Sequence, residues 1–447
     1  MLKAFGWVLL VLFASNVIAE NKVSEYVFDN GLRLIVKEDH RAPVMVSQIW
    51  YKVGSSYELD GHTGISHVLE HMMFKGTDNY EPGEFSRIIA RNGGRENAFT
   101  GRDYTAYFQR MEKSRIEVSF KLESDRMHRL KLQEKEFVKE VQVVMEERRM
   151  RTEDKPKSLT REHFNATAFM NSSYRNPVIG WQQDLEEMEL DDLREWYRLW
   201  YAPNNALIVV VGDVDPDAVY ALAKKYFSAI PAVAIKPAKK RTEVKQRGLR
   251  RIEVHAEAKL PFVMMGYKVP VLRTAENTED AYALEVLAWI LDGGDGARMS
   301  RSLVRGSQVA ATAGAGYDLY ARQQSLLILQ GVPANGHTIN ELEQALREQI
   351  ALLREQPVTL EELRRAKAQV VADAVYEKDS MFYQAMQIGM LEASGLDWQQ
   401  GDDYVKRIQA VTVEQIQQAA RDYLIENNLT IATLVPETTA ASTGDVK

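Results

Sequence analysis

The stretch Gly64-Ile65-Ser66-His67-Val68-Leu69-Glu70-His71-Met72-Met73-Phe74 organises the reading of this chain. Thr63 is placed to cap its start and Gly76 to end it, which predicts a helix of about three turns. His67 and His71 are four residues apart, so their imidazoles lie one above the other on one face. Glu70 points to the same side. The remaining positions from Ile65 to Phe74 are apolar except Ser66, which predicts a buried helix. Two histidines and a glutamate in that setting are costly to desolvate unless they are paired or bind a cation. With 8 His and 63 acidic residues among 447, composition alone supplies about 0.02 such H-x-x-E-H matches per chain.

A cation held there needs a further ligand. There is no cysteine, so thiolate sites and disulfides are excluded, and His, Asp and Glu must supply the donors. Glu147 is the candidate. The run from Glu136 to Glu147 reads as a helix with Glu140 and Glu147 seven apart on one face. His67, His71 and Glu147 would leave the fourth zinc position to water, the ligand pattern of catalytic rather than structural zinc. Zinc lowers the pKa of its bound water toward about 7. Glu70, placed between the two histidines, is the base that takes the proton. Glu140 would orient a ligand or tune the water. For Glu140 and Glu146, an ordinary solvated helix face is an equal reading.

Outward from this site, the composition is that of a globular chain, with 45% apolar and 27% charged residues. The net charge of −7 argues against a nucleic-acid partner. Residues 1–19 read as a signal peptide, with Lys3, the apolar run Phe5–Ala14 and Val17-Ile18-Ala19 before Glu20. That run is short of the roughly 20 residues a membrane span needs. The mature chain is therefore expected to be exported without a span, to the periplasm in a bacterium.

The remainder reads as one α+β design used twice, residues 20–230 and 252–447, joined by a basic, solvated linker at 231–251. The first block opens with Asn30-Gly31 between strand-like runs, a hairpin signal. A strand at Val44–Val53, a polar strand near Ala98–Phe108 and a buried strand at Ala206–Gly212 follow. The second block echoes the first in order. Met264–Val269 echoes Gln48–Val53, Lys367–Asp373 echoes Glu140–Glu146, and Tyr423…Asn427-Asn428 echoes Tyr201…Asn204-Asn205.

With these pieces assembled, His67-Val68-Leu69-Glu70-His71 resembles the inverted zincin motif. Its spacing to Glu147 is similar to the third-ligand spacing of the pitrilysin, insulysin and mitochondrial-processing-peptidase family. Asn97-Ala98-Phe99-Thr100…Asp103…Thr105…Tyr107 resembles that family's substrate strand. Tyr174…Pro177-Val178-Ile179-Gly180 and Tyr201-Ala202-Pro203-Asn204-Asn205…Gly212-Asp213 resemble its later landmarks. The resemblance covers nearly all of the mature chain and is closest to the short-subunit, exported bacterial branch. It implies two homologous domains, each a mixed, mostly antiparallel sheet of six strands with helices packed on it. It also implies zinc-dependent endopeptidase activity inside a two-subunit chamber. The peptide would add as a strand along Asn97, Ala98 and Phe99.

The second block lacks the metal residues. Ala283-Leu284-Glu285-Val286-Leu287 stands where the zinc helix should be, and Ala374 where Glu147 should be. In the resembled family this domain carries an Arg and, seven residues on, a Tyr that grip substrate and the developing oxyanion. Arg305 keeps the first role. Thr312 replaces the Tyr, and Tyr317 and Tyr320 lie off register. The expectation is a heterodimer whose related subunit supplies the Arg/Tyr pair; the alternative is a homodimer. A non-catalytic structural or chaperone-like homologue is the competing function, and it predicts a degraded zinc triad, whereas His67, Glu70, His71 and Glu147 are all present.

Overall fold

The apolar runs form two sheets in the computed structural model, which describes residues 22–235 and 241–437. The expected signal peptide at 1–19, and Lys236, Lys239 and Lys240 of the basic segment, lie outside the described residues. The first sheet comprises β1 (Val23–Val27), β2 (Arg33–Glu38), β3 (Val44–Tyr51), β4 (Arg95–Thr100), β5 (Thr105–Glu112) and β6 (Ala206–Gly212), ordered β1-β2-β6-β3-β5-β4. Within it β2 and β6 run parallel and the other neighbours antiparallel. The second sheet comprises β7 (Arg250–Glu257), β8 (Phe262–Val269), β9 (Ala310–Gly316), β10 (Ser325–Pro333) and β11 (Leu429–Glu437), ordered β7-β11-β8-β10-β9. Its parallel pair is β7 with β11.

The duplication therefore extends to strand order, direction and register. Tyr51 faces Ala206 and Tyr267 faces Leu429, and each partner is the first residue after an Asn-Asn pair. Two expectations change. The second sheet has five strands among the described residues, with no counterpart of β1. The polar run Ala98–Phe108 is a hairpin, β4 and β5, in which Gly101 N donates to Tyr104 O at 2.8 Å. A run of polar residues hides the reversal because Gly101-Arg102-Asp103-Tyr104 is no more polar than the strands beside it.

The segment expected to be a solvated linker is exposed at Arg241, Lys245 and Arg247 but anchored between them. The Glu243 carboxylate accepts the N–H groups of Met170, Asn171 and Ser172 and pairs with Lys268 at 2.8 Å. Both charges of that pair are buried, which is sustainable because donors surround the carboxylate. Gln246 donates to Leu429 O at 2.6 Å.

Both faces of each sheet are covered. Leu34, Val36, Ile49, Ile208 and Val210 face a core shared with helices Ile65–Met72, Ile116–His128 and Leu190–Trp200. Ile35, Val46, Trp50, Leu207 and Val209 face the other way. Burial on both sides explains why β6 reads as the unbroken run Ala-Leu-Ile-Val-Val-Val-Gly. The outer face of the first sheet is covered by Met381–Ala393, from the second half. The outer face of the second sheet is covered by Pro156–Ala168, from the first half.

These two crossing helices are each 13 residues long and occupy matched places in the duplication. At the ninth position one carries Phe164 and the other Gly389. A Cβ on Gly389 would lie 2.0 Å from Trp50, and a Cβ on Gly266 would lie 2.7 Å from Phe164. Trp50 and Gly266 immediately precede the matched residues Tyr51 and Tyr267. Large and small residues are thus exchanged between equivalent contacts.

Candidate metal centre

The histidine helix spans Ile65–Met72, shorter than expected. Thr63 does not cap it, because Gly64 precedes it with φ +87° and turns Thr63 away. The cap comes from Glu58, whose buried carboxylate accepts Gly64 N at 2.8 Å and Ser66 N at 2.9 Å. Thr63 instead donates to Asp184 at 2.5 Å and accepts Trp181 N at 2.9 Å. Gly64 and Gly180 meet so closely that a Cβ on Gly180 would lie 2.5 Å from Thr63 O. Both glycines have positive φ, a conformation other residues adopt at a cost.

The Pro177–Gly180 segment also anchors the helix of the third candidate ligand, Glu134–Arg148. Arg148, adjacent to Glu147, donates to Gly180 O at 2.9 Å and pairs in a fork with Glu162 at 2.8 Å. One loop therefore registers both helices. The result brings together three residues far apart in sequence. Ligand atoms of His67, His71 and Glu147 all lie within 4.8 Å of one another. Glu147 is 3.9 Å from His67 Nε2 and 3.5 Å from His71 Nε2.

The electrostatics suit a cation. Burial, aided by the neighbouring His71 and Arg151, pushes His67 down to about 3, so it stays neutral and able to ligate. His71 Nδ1 lies 3.2 Å from Glu140, which also binds Lys75 at 2.5 Å. Burial of Glu140 is outweighed by these two contacts, and its carboxyl sits below the usual range. This is the arrangement of a carboxylate that fixes a ligating imidazole through its other nitrogen. Two imidazole nitrogens and one carboxylate converging fit a divalent ion of the zinc type. A groove of about 430 Å³ beside Glu147 is lined by Val143, Met150 and Arg151 among others.

Glu70 is half-buried on the same helix, and burial pushes its carboxyl up. Thr100, the last residue of β4, donates its hydroxyl to Glu70 Oε2. The β4 strand is the edge of the first sheet, so the backbone of Asn97, Ala98 and Phe99 has a free side. The Asn97 side chain accepts the Ala98 N–H at 2.9 Å, and the Phe99 ring packs edge-on against Trp50. What this edge offers a peptide is therefore backbone more than side chain.

Asp103 lies in the turn between β4 and β5. It is buried, accepts from Ser56 and Tyr174, and pairs with Arg322 of the second half at 3.0 Å. Nothing in the sequence marks Lys75, Arg148 or Arg322, whose partners are set by tertiary contacts, or Glu58, which reaches its partners across a tight turn. Thr100 is visible in its motif, but without a role.

In the second half, Arg305 is exposed, and its guanidinium donates to Asp295 O. Thr312 is exposed on the edge strand β9. The Tyr317 hydroxyl donates to Pro270 O at 2.7 Å, and Tyr320 packs against Tyr404. Glu285, on the helix matching the metal helix, is half-buried and held by Trp289 and Tyr404 at 3.2 Å each. Burial pushes its carboxyl up to about 7. Stability from a group whose folded value is raised is whole below the unfolded value, 4.5, and is lost as pH rises through about 7. Glu285→Gln is therefore expected to gain stability relative to the parent between about pH 5 and 8. Parallel stability curves over that window would contradict this assignment.

Comparison with known proteins places the geometry in context. Residues 33–181 match the family described as "Insulinase (Peptidase family M16)", and residues 187–370 match the "Peptidase M16 inactive domain". The chain is 31% identical to zinc protease PqqE of Helicobacter pylori, over 96% of this chain and 97% of that one. It is 27% identical over 201 residues to the probable mitochondrial-processing peptidase subunit beta of Arabidopsis thaliana, covering 45% of this chain and 38% of that one. The crystal structure of a protease from Helicobacter pylori superposes with a TM-score of 0.88 at 30% identity, covering 93% of this chain and 100% of that one.

Proposed function

The chain belongs to peptidase family M16, and from that premise we propose that it is a zinc-dependent metalloendopeptidase acting on extended peptides or unfolded segments, with Glu70 as general base. One observation carries the reading. His67, His71 and Glu147 bring three ligand atoms within 4.8 Å, with the Glu70 carboxylate on the same helix as the histidines. When bound, zinc supplies a positive charge that acidifies water and polarises a carbonyl. The chain's own residues do the rest. Glu70 accepts the proton of the attacking water and returns it to the leaving amine. Glu140 holds the His71 ring. The Asn97–Phe99 edge aligns the peptide backbone, and the groove at Val143 and Met150 leaves space for a side chain.

Arg305 grips the substrate of a facing subunit. Thr312 lacks a phenolic donor, and the Tyr317 hydroxyl is spent on Pro270 O, so oxyanion stabilisation is assigned to a related subunit carrying the Arg/Tyr pair. Residues 1–19 direct export, with a periplasmic destination in a bacterium. Among the described residues no helix is long and apolar enough to cross a membrane.

Glu147→Ala is expected to bind zinc at least about 100-fold more weakly than the parent while remaining folded. Zinc titration monitored beside thermal unfolding checks this, and unchanged affinity would remove Glu147 from the ligand set. The non-catalytic alternative draws on the inactive-domain match over 187–370. Stoichiometric zinc with no peptide cleavage, even with the related subunit added, would decide for it.

A further inference from the structure

Thr100 sits where two functions meet. It is the last residue of β4, whose Asn97–Phe99 backbone lies on the free edge of the sheet. Its hydroxyl donates to Glu70 Oε2. Among the described residues it is the one side chain that hydrogen-bonds to Glu70. A glutamate ends in a torsion with broad, shallow preferences, so without a partner the carboxylate plane turns freely. A hydroxyl has one proton to give. Given to Oε2, it fixes that plane and leaves Oε1 as the free acceptor.

The donor is itself rigidly held. Thr100 pairs with Thr105 across the hairpin, and Thr105 donates to Val53 O at 2.9 Å. The turn that follows is bound to its neighbours, with Ser55 N donating to Gly101 O at 3.2 Å and Ser56 N to Arg102 O at 2.7 Å. Asp103, the next residue, carries the ion pair to Arg322 at 3.0 Å. A hydroxyl on a braced hairpin is a fixed reference, whereas one on a loose loop would move with the carboxylate.

We infer that Thr100 is a positioning residue, which fixes the Glu70 carboxylate and ties its orientation to the strand on which the peptide is seated. This rests on Glu70 acting as the base and on β4 as the peptide edge. Misplacement of a reacting group by about 1 Å can cost on the order of 100-fold in rate, so the hydroxyl is expected to matter to turnover and little to binding. Asn97, by contrast, touches only the edge.

The test compares Thr100→Val, which keeps the shape and removes the proton, with Thr100→Ser, which keeps the proton. Thr100→Val is expected to lower kcat by about 10- to 100-fold with KM and zinc content unchanged, and Thr100→Ser to stay within about threefold of the parent. A second reading needs no turnover. Crystal structures should show the Glu70 carboxylate in one orientation in the parent and in Thr100→Ser, and rotated or split in Thr100→Val. Unchanged kcat in the valine variant, an equal loss in the serine variant, or a fixed carboxylate without the hydroxyl would each overturn the inference. A parent that cleaves no peptide but shows the carboxylate released in Thr100→Val would instead count against the proposed activity and leave the positioning role standing.

Discussion

Glu70→Gln is expected to retain zinc and to cleave peptides about 1,000-fold more slowly than the parent. Glutamine keeps the size of the side chain and an oxygen for the Thr100 hydroxyl, so the helix Ile65–Met72 has no reason to move. The atoms that converge on the ion site belong to His67, His71 and Glu147. What is lost is a group able to accept a proton. General-base catalysis is worth typically about 100- to 10,000-fold, and the position of Glu70 between the two histidines leaves no other carboxylate of the helix to substitute. Turnover of a defined peptide, measured beside zinc content in whichever assembly is active, checks both halves of this expectation. Retained turnover would exclude Glu70 as the base, and lost zinc would mean that the variant reports on structure.

The parts of this site that were legible in the sequence are those set by local periodicity. Spacing alone put His67 and His71 on one face, and Glu140 with Glu147 on another helix. The Asn-Gly reversal and the unbroken β6 likewise announce themselves, because turn chemistry and burial leave marks within a few residues. The convergence of Glu147 on the histidines was legible through resemblance, since no local rule relates two helices more than sixty residues apart. What was hidden depends on contacts at long range or on how the chain turns back on itself. Glu58 caps a helix six residues ahead of it only because the chain folds back at Gly61 and Gly64, both at positive φ. Glu243 looked like a lone acid in a basic linker, yet three backbone N–H groups and Lys268 enclose it. Asp103, in the turn between β4 and β5, joins the two halves through Arg322. In each case the polar side chain carries no local mark of its role, because its partner lies more than 20 residues away or across a tight turn.

The duplication leads to the largest expected effect on stability. Each half buries the outer face of its sheet under a helix lent by the other, so neither half has a complete core alone. Phe164 is fully buried in one of these contacts. Phe164→Ala is expected to cost about 3–5 kcal/mol, the transfer term plus the cavity left over Gly266. The equivalent contact is sharper because it changes sign. In an exposed helix Gly→Ala stabilises by about 1 kcal/mol. At Gly389 the new Cβ would lie 2.0 Å from the Trp50 ring, an atom held on both sides by Gln48 and by neighbouring aromatics. The clash must shift a helix or a ring, an overpacking cost of about 1–3 kcal/mol or more, so Gly389→Ala is expected to destabilise. Shortening Trp50 to Phe in the same chain should restore the propensity gain in part, giving a favourable coupling of about 1–3 kcal/mol in a double-mutant cycle. Denaturant unfolding of the four variants measures it. If Gly389→Ala stabilises the protein, or if the two substitutions simply add, the crossing helix does not rest on Trp50 and the two halves are held together by their polar contacts instead.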